Sequence, residues 1–175
     1  LPKNFLDYKM AVSDFPTTPI EDESLGTSML YSSGTTGRPK GILRPLPDQR
    51  PDEPLPIMNF LSDLWNYRED MIYLSPAPLY HSAPLFANNF AIRAGATTII
   101  MEKFDPLEFL RLIEKYAVTD SQMVPTMFNR ILKLSDEERH KYDLSSLKHV
   151  IHAAAPCPVQ VKRQMIEWWG PIINE

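Results

Sequence analysis

Tyr31-Ser32-Ser33-Gly34-Thr35-Thr36-Gly37-Arg38-Pro39-Lys40-Gly41 holds three of the chain's six glycines. Between Ser32 and Thr36 four hydroxyl side chains surround Gly34, and two cations, Arg38 and Lys40, follow. Glycine permits positive φ and a close approach of backbone to a ligand. Successive N–H groups in such a turn form an anion-binding nest. Hydroxyls add neutral donors, and lysine adds a mobile point charge. Those parts together suit a polyphosphate. A Gly/Ser/Thr-rich surface turn has the same composition; the cations at the far end weigh for phosphate. Residues 27–31 read as a strand entering the stretch and 41–44 as a strand leaving it. The loop then sits at the tip of a hairpin, where backbone is exposed.

The spacing is not that of a P-loop, which needs four residues between its glycines and Lys-Ser/Thr directly after the second. Only two residues separate Gly34 from Gly37, and Lys40 comes three later. The stretch resembles instead the signature of the adenylate-forming (AMP-binding) enzymes: acyl- and aryl-CoA synthetases, luciferases and peptide-synthetase adenylation domains. That signature usually reads Tyr-Thr-Ser-Gly-Thr-Thr-Gly-x-Pro-Lys-Gly, and the chain departs from it only at Ser32, which keeps the hydroxyl. The resemblance is greatest to an acyl-CoA synthetase, a fatty-acid–CoA ligase. It implies ATP and coenzyme A as co-substrates, magnesium, and a small carboxylic acid. Ser32, Ser33, Gly34, Thr35, Thr36, Gly37 and Lys40 would hold the departing phosphates.

Two further stretches match the same family. Ser75-Pro76-Ala77-Pro78-Leu79-Tyr80-His81 is similar to its Pro-Leu-x-His segment, which implies that His81 faces the carboxylate substrate. Relatives that activate amino acids place an acidic residue there to pair with the substrate's ammonium. His81 cannot do that, so an acid without an α-amino group is favoured. A loop histidine capping a helix is the alternative for His81. His152-Ala153-Ala154-Ala155-Pro156 resembles the family's Gly-Ala-Ala-Pro segment beside adenine and the acyl pocket. The resemblance places Ala154, Ala155 and Pro156 against the nucleotide and Ala153 in the acyl pocket, where alanine in place of glycine would narrow it. An alanine-rich strand end packed in a core is the alternative.

The chain has 175 residues, enough for one domain with a real core. Its net charge of −4 gives no basic footprint for nucleic acid. No apolar run approaches the roughly 20 residues that span a bilayer, and Leu1-Pro2-Lys3-Asn4 lacks the order of a signal peptide. Cys157 is the single cysteine, so no internal disulfide can form, and a cytoplasmic location is expected. The absence of an initiator Met and the apolar ending at Ile172-Ile173 lead us to expect a fragment of one large N-terminal adenylation domain. In the family a Tyr-Gly-x-Thr-Glu motif, a ribose-binding Asp, the candidate magnesium glutamate and a small lid domain with a catalytic lysine would follow. No catalytic residue and no metal ligand is therefore assigned, and the isolated piece is expected to be inactive. Its alternative role is a nucleotide-phosphate-binding module, and an aryl- or carnitine-type CoA ligase is the alternative for the whole protein.

Beyond the hairpin, residues 1–24 read as irregular and the Pro-rich 45–56 as an extended loop. From residue 57 strands and helices alternate. Met58, Leu61, Leu64 and Trp65 share a helical face. Residues 71–74 and 97–101 read as strands, with a helix over 82–94 ended by Gly95. Asp105-Pro106-Leu107-Glu108 is a helix start with an N-cap, proline at the first position and a capping glutamate. Strands at 120–124 and 149–152 alternate with helices at 126–134 and 159–169. The pattern predicts an α/β fold, a mostly parallel sheet with helices on both faces and the Gly-rich hairpin loop at its edge. The four histidines have no metal spacing, Trp168-Trp169 reads as core, and the eight methionines read as gap-fillers.

Overall fold

The computed structural model describes residues 4–32, 37–54 and 56–175. They belong to two compact units, Leu1–Glu53 and Pro54–Glu175.

In the first unit a short helix, α1 (Tyr8–Val12), buries none of its residues. Strands β1 (Leu30–Ser32) and β2 (Lys40–Ile42) pair antiparallel, with Leu30 opposite Ile42, Tyr31 opposite Gly41 and Ser32 opposite Lys40. The hairpin expected from the sequence is thus present. Gly37 sits at φ +91°, a conformation that residues with a Cβ rarely adopt. After β2 the chain to residue 54 has neither helix nor strand, as its prolines require. It is tied down by charge: Arg50 contacts Glu23 and Asp52, each at 3.1 Å, and Leu25 N–H donates to the Gln49 carbonyl at 2.7 Å.

In the second unit the Pro-rich loop ends one residue earlier than the sequence predicts. Pro56 is the first residue of α2 (Pro56–Trp65), where a missing N–H costs nothing. Trp65 packs on a core cluster, and Leu64 stays exposed. Strands β3 (Ile72–Ser75), β4 (Thr97–Ile100), β5 (Asp120–Met123), β6 (His149–His152) and β7 (Ile173–Asn174) form one all-parallel sheet in the order β4-β3-β5-β6-β7. The connections are α3 (Ser82–Arg93), α4 (Pro106–Tyr116), α5 (Pro125–Leu132) with the short α6 (Asp136–Arg139), and α7 (Val159–Trp169). From β3 the chain steps outward to β4, then crosses back over β3 to β5 and continues the other way. Right-handed crossovers put α3 on one face and α4, α5 and α7 on the other. The side chains agree with this. Leu74 joins Phe109, Ile113, Phe128, Val150 and Met165 in one cluster, while its neighbour Tyr73 joins Met71, Ala87 and Ala91 in another, as alternation along a strand demands. Helices therefore cover both faces.

Local signals account for most boundaries. Asp105 caps α4 by accepting from Glu108 N–H at 2.9 Å, with Pro106 at the first position. The Glu108 carboxylate does not complete a capping box. It pairs with Arg111 instead, and that bond holds its carboxyl below the usual range. Gly95 at φ +82° ends α3, and a Cβ there would lie 3.2 Å from the Glu69 side chain. At the end of α4 the same task falls to Ala117, which is left-handed at φ 51°, ψ 48°. Val118 N–H closes back to the Ile113 carbonyl at 3.0 Å, the bond of a Schellman end. That conformation costs a Cβ-bearing residue about 1–2 kcal/mol. Ala117→Gly is expected to raise stability by about 0.5–1 kcal/mol after the extra freedom of the unfolded glycine is charged against it. A urea midpoint unchanged or lowered would contradict this.

Helix α6 was not legible as an element. Its Ser135–Glu138 capping box is complete, with Ser135 Oγ accepting from Glu138 N–H at 3.2 Å and Glu138 Oε2 accepting from Ser135 N–H at 2.9 Å. The helix is four residues long and buries none of them, so no periodicity marks it.

Candidate functional site

The hairpin brings Ser32 and Lys40 into register at the mouth of the Gly-rich turn. Arg38 and Lys40 are exposed there, and Gly37 supplies the positive φ on the return side. Ser33, Gly34, Thr35 and Thr36 lie outside the described residues. The described part of the stretch is thus the strand pair that brackets it, with Ser32 and Lys40 as backbone partners.

In the second unit the reversal of strand order at β3 makes a topological switch point. In open α/β sheets ligands bind outside the carboxyl ends of the strands at such a point. Three chain segments leave the sheet there: residues 76–81 after β3, Val124 after β5, and residues 153–158 after β6. They form a narrow cleft of about 20 Å³ lined by Ala77, Ala83, Pro84, Gln122, Met123, Val124, Ala153 and Ala154. Small residues dominate it, which lets a flat group approach the backbone. Ala154 is left-handed, at φ 71°. The backbone strain in this turn thus falls one residue after Ala153, the position where the sequence motif departs from glycine. Ala155 and Pro156 are exposed and lie outside the cleft lining.

His81 precedes α3 in extended conformation, at φ −86° and ψ 144°. It occupies the cap position, yet its side chain makes no capping bond. The ring is exposed and lies against the Tyr80 ring, with centroids 4.5 Å apart. His81 does not line the cleft; Ala83 and Pro84, in the next turn, do.

At the end of β6, His152 opens the third stretch that matches the family, but nothing in the sequence gives it a role of its own. The ring is fully buried, edge-on to Phe128 at 5.6 Å. Neither ring nitrogen has a hydrogen-bond partner, and Nε2 is 3.8 Å from Glu175 Oε2. Glu175 in turn bonds Lys162 Nζ at 2.6 Å. Burial first, and the Lys162 charge second, push the imidazole's pKa down, with Glu175 opposing. A histidine whose folded pKa is depressed stays neutral while the unfolded chain takes up a proton. The unfolded state then binds more protons as pH falls below about 6.5, and stability drops in that window. Wild type is expected to lose stability between pH 7.5 and 5.5, and His152→Gln to lose less of it, by urea midpoints. Equal losses would contradict the assignment. Burial likewise pushes the Cys157 thiol up, which suits a thiol without a nucleophile's role.

A much roomier cleft, about 820 Å³, lies along Arg139, His140, Leu144, Gln164 and Trp168. It opens beside the residues that precede β6 and follow α7, at the amino ends of the strands, away from the switch point. Trp168 and Trp169 both pack against the main core cluster, Trp169 on Phe109 and Phe128, and both also line this cleft. Among the described residues no group of three or more His, Cys, Asp or Glu is placed to hold a metal, so magnesium is given neither ligand nor step. No helix among them is long and apolar enough to cross a membrane.

The sequence pattern of the family described as AMP-binding enzyme matches residues 6–175. The 4-coumarate–CoA ligase 2 of Petroselinum crispum is 36% identical over 145 residues, covering 82% of this chain and 26% of that protein. The 4-coumarate–CoA ligase-like 3 of Arabidopsis thaliana is 29% identical over 147 residues, 83% of this chain and 25% of that protein. Among solved structures, ATP-bound MatB of Rhodopseudomonas palustris superposes with a TM-score of 0.66 at 29% identity, covering 83% of this chain and 27% of that one. The chain thus spans about a quarter of the length of the curated relatives it matches.

Proposed function

The chain belongs to the AMP-binding enzyme family, and we propose that its full-length protein is an AMP-forming acid–CoA ligase. A carboxylate oxygen of the acid attacks the α-phosphorus of ATP. The bond to the bridging oxygen breaks, and pyrophosphate leaves with the electron pair. The thiol of coenzyme A, giving up its proton, then attacks the acyl carbon of the adenylate, and AMP leaves. The observation that carries the reading is the hairpin register, which sets Ser32 across from Lys40 at the open end of a hydroxyl-rich turn. Donors fixed there meet the negative charge that grows on the β- and γ-phosphates as they depart. Ser32, Ser33, Gly34, Thr35, Thr36, Gly37 and Lys40 are the proposed phosphate contacts. Ala154, with Ala155 and Pro156, is the proposed surface for the nucleotide, and Ala153 and His81 are proposed for the acid.

Fatty and aryl acids both fall within the proposal, the second because relatives are named for 4-coumarate. An α-amino acid does not, since among the described residues no carboxylate lines the cleft to receive an ammonium. The cytoplasm is the proposed compartment. The 175 residues by themselves are proposed to bind nucleotide phosphates without turnover, in keeping with their quarter share of the relatives' length. A panel of carboxylic acids assayed for pyrophosphate release with the full-length protein, ATP and magnesium is the test. Acid-dependent release with matching AMP is expected. Nucleotide binding without release for any acid would leave only the binding module.

A further inference from the structure

The loop of residues 153–158 joins β6 to α7 and carries the proposed nucleotide surface. Little in the loop itself fixes its span. Ala154, Ala155 and Pro156 are exposed, and Ala154 sits in the left-handed region at φ 71°. Pro158, at the cap position of α7, has no side-chain bond to offer the helix. The parallel pairing of β6 with β7 also stops short of the loop: its last partners are Ile151 and Asn174. The next residues are His152 and Glu175, side by side where the ladder ends.

Glu175 reaches both ends of that loop. Its Oε2 accepts from Lys162 Nζ, in the first turn of α7, at 2.6 Å. The same oxygen is 3.8 Å from Nε2 of His152, the last residue of β6. Burial against Phe128 fixes the imidazole, and nothing among the described residues bonds its Nε2. Buried polar atoms are nearly always paired, and the carboxylate beside this one belongs to a side chain that is 54% exposed and has room to move. A shift of about 1 Å brings the two within hydrogen-bond distance. The Lys162 bond holds the Glu175 carboxyl below its usual range, so it stays ionised as an acceptor at neutral pH.

We propose that Lys162 is a positioning residue for the nucleotide. It touches no ligand. Through Glu175 it ties the start of α7 to the end of β6, sets the span of the loop, and presets Ala154, Ala155 and Pro156 for ATP. A surface ordered before binding loses no affinity to ordering. The inference rests on the nucleotide surface of the ligase reading above and adds to it a residue outside all three sequence motifs. The Lys162–Glu175 pair is open to solvent, with side chains 28% and 54% exposed, and such pairs contribute little to stability. Loss of the tie should therefore appear in nucleotide affinity and not in the melting temperature.

The test measures ATP affinity of the purified full-length protein by calorimetry, with magnesium and without acid or coenzyme A. Lys162→Met and Glu175→Leu should each weaken ATP binding by about tenfold or more, inside the roughly 100-fold that a misplacement of about 1 Å costs. The double variant should stay within about threefold of the weaker single one, because both break the same tie. Lys162→Arg, which still pairs with a carboxylate, should bind within about threefold of wild type. Thermal melts confirm folding, with Lys162→Gln as the alternative. The sign of the Glu175 effect separates the tie from a direct contact. Were Lys162 only a charge attracting phosphate, removing the neighbouring carboxylate would tighten ATP. Unchanged affinity in a folded Lys162 variant, tighter binding by Glu175→Leu, or losses that add in the double variant would overturn the inference while leaving the ligase reading intact. Pyrophosphate release by wild type that needs no acid would overturn the ligase reading, and the ATP affinities would still decide the inference.

Discussion

Arg68→Ala is expected to cost about 3–5 kcal/mol of stability, because it strands a carboxylate inside the sheet. Asp120 opens β5 with its side chain 3% exposed, and Arg68 grips both its oxygens, at 3.3 and 3.0 Å. Thr119 Oγ1 donates to the same carboxylate, while His149 Nδ1 lies 3.3 Å away without hydrogen-bond geometry. These leftovers place the loss toward the lower bound. Part of the guanidinium is spent elsewhere, on Asp70 at 2.9 Å and the Asn66 carbonyl at 3.0 Å, which holds the turn before β3. The double variant Arg68→Met/Asp120→Leu removes both charges and should recover much of the loss, since an apolar replacement for a buried pair is often neutral. Denaturant midpoints with a shared slope measure it. A loss below about 1 kcal/mol for Arg68→Ala, the ordinary value of an exposed pair, would contradict the account.

Lys40→Ala should lower the rate of acid-dependent pyrophosphate release by about 10²–10³-fold, the effect typical of removing one donor to a developing oxyanion. Lys40 begins β2 across from Ser32, so the strand pairing places it independently of the loop's own conformation. Lys40→Arg should recover little, because a planar fork does not replace a compact, mobile point charge. If kcat falls while KM for ATP holds, the contact belongs to the transition state. A rise in KM alone would mean that Lys40 binds ATP and leaving pyrophosphate equally.

The hairpin, the parallel sheet and most element boundaries were legible because local chemistry sets them. Gly37 and the hydroxyl run mark the turn, Asp105-Pro106 marks the start of α4, and the β-branched run at Thr97–Ile100 marks a strand. Pro56 was misassigned by one residue because a proline at a helix start looks like a proline in a loop. What stayed hidden depends on strand order. Arg68 and Asp120 are 52 residues apart and meet only because β5 inserts beside β3. Asn88 and Ser75 are 13 apart, and their bond depends on α3 folding back onto the strand that precedes it. The polar composition of β5 was the available signal: a central strand reading Asp-Ser-Gln-Met must place those groups against something. His152 could not be distinguished from the other histidines until the structure placed it against Phe128 with no donor or acceptor at hand.

The central claim is that a carboxylic acid attacks ATP at its α-phosphorus with reversible loss of pyrophosphate. Exchange of labelled pyrophosphate into ATP by the full-length protein tests it most directly, because it reads the first half-reaction without coenzyme A. The account predicts exchange that requires a carboxylic acid, proceeds in the absence of the thiol, and falls by about 10²–10³-fold in Lys40→Ala. Exchange that proceeds equally without any acid, or hydrolysis to ADP and phosphate with no exchange, would contradict it.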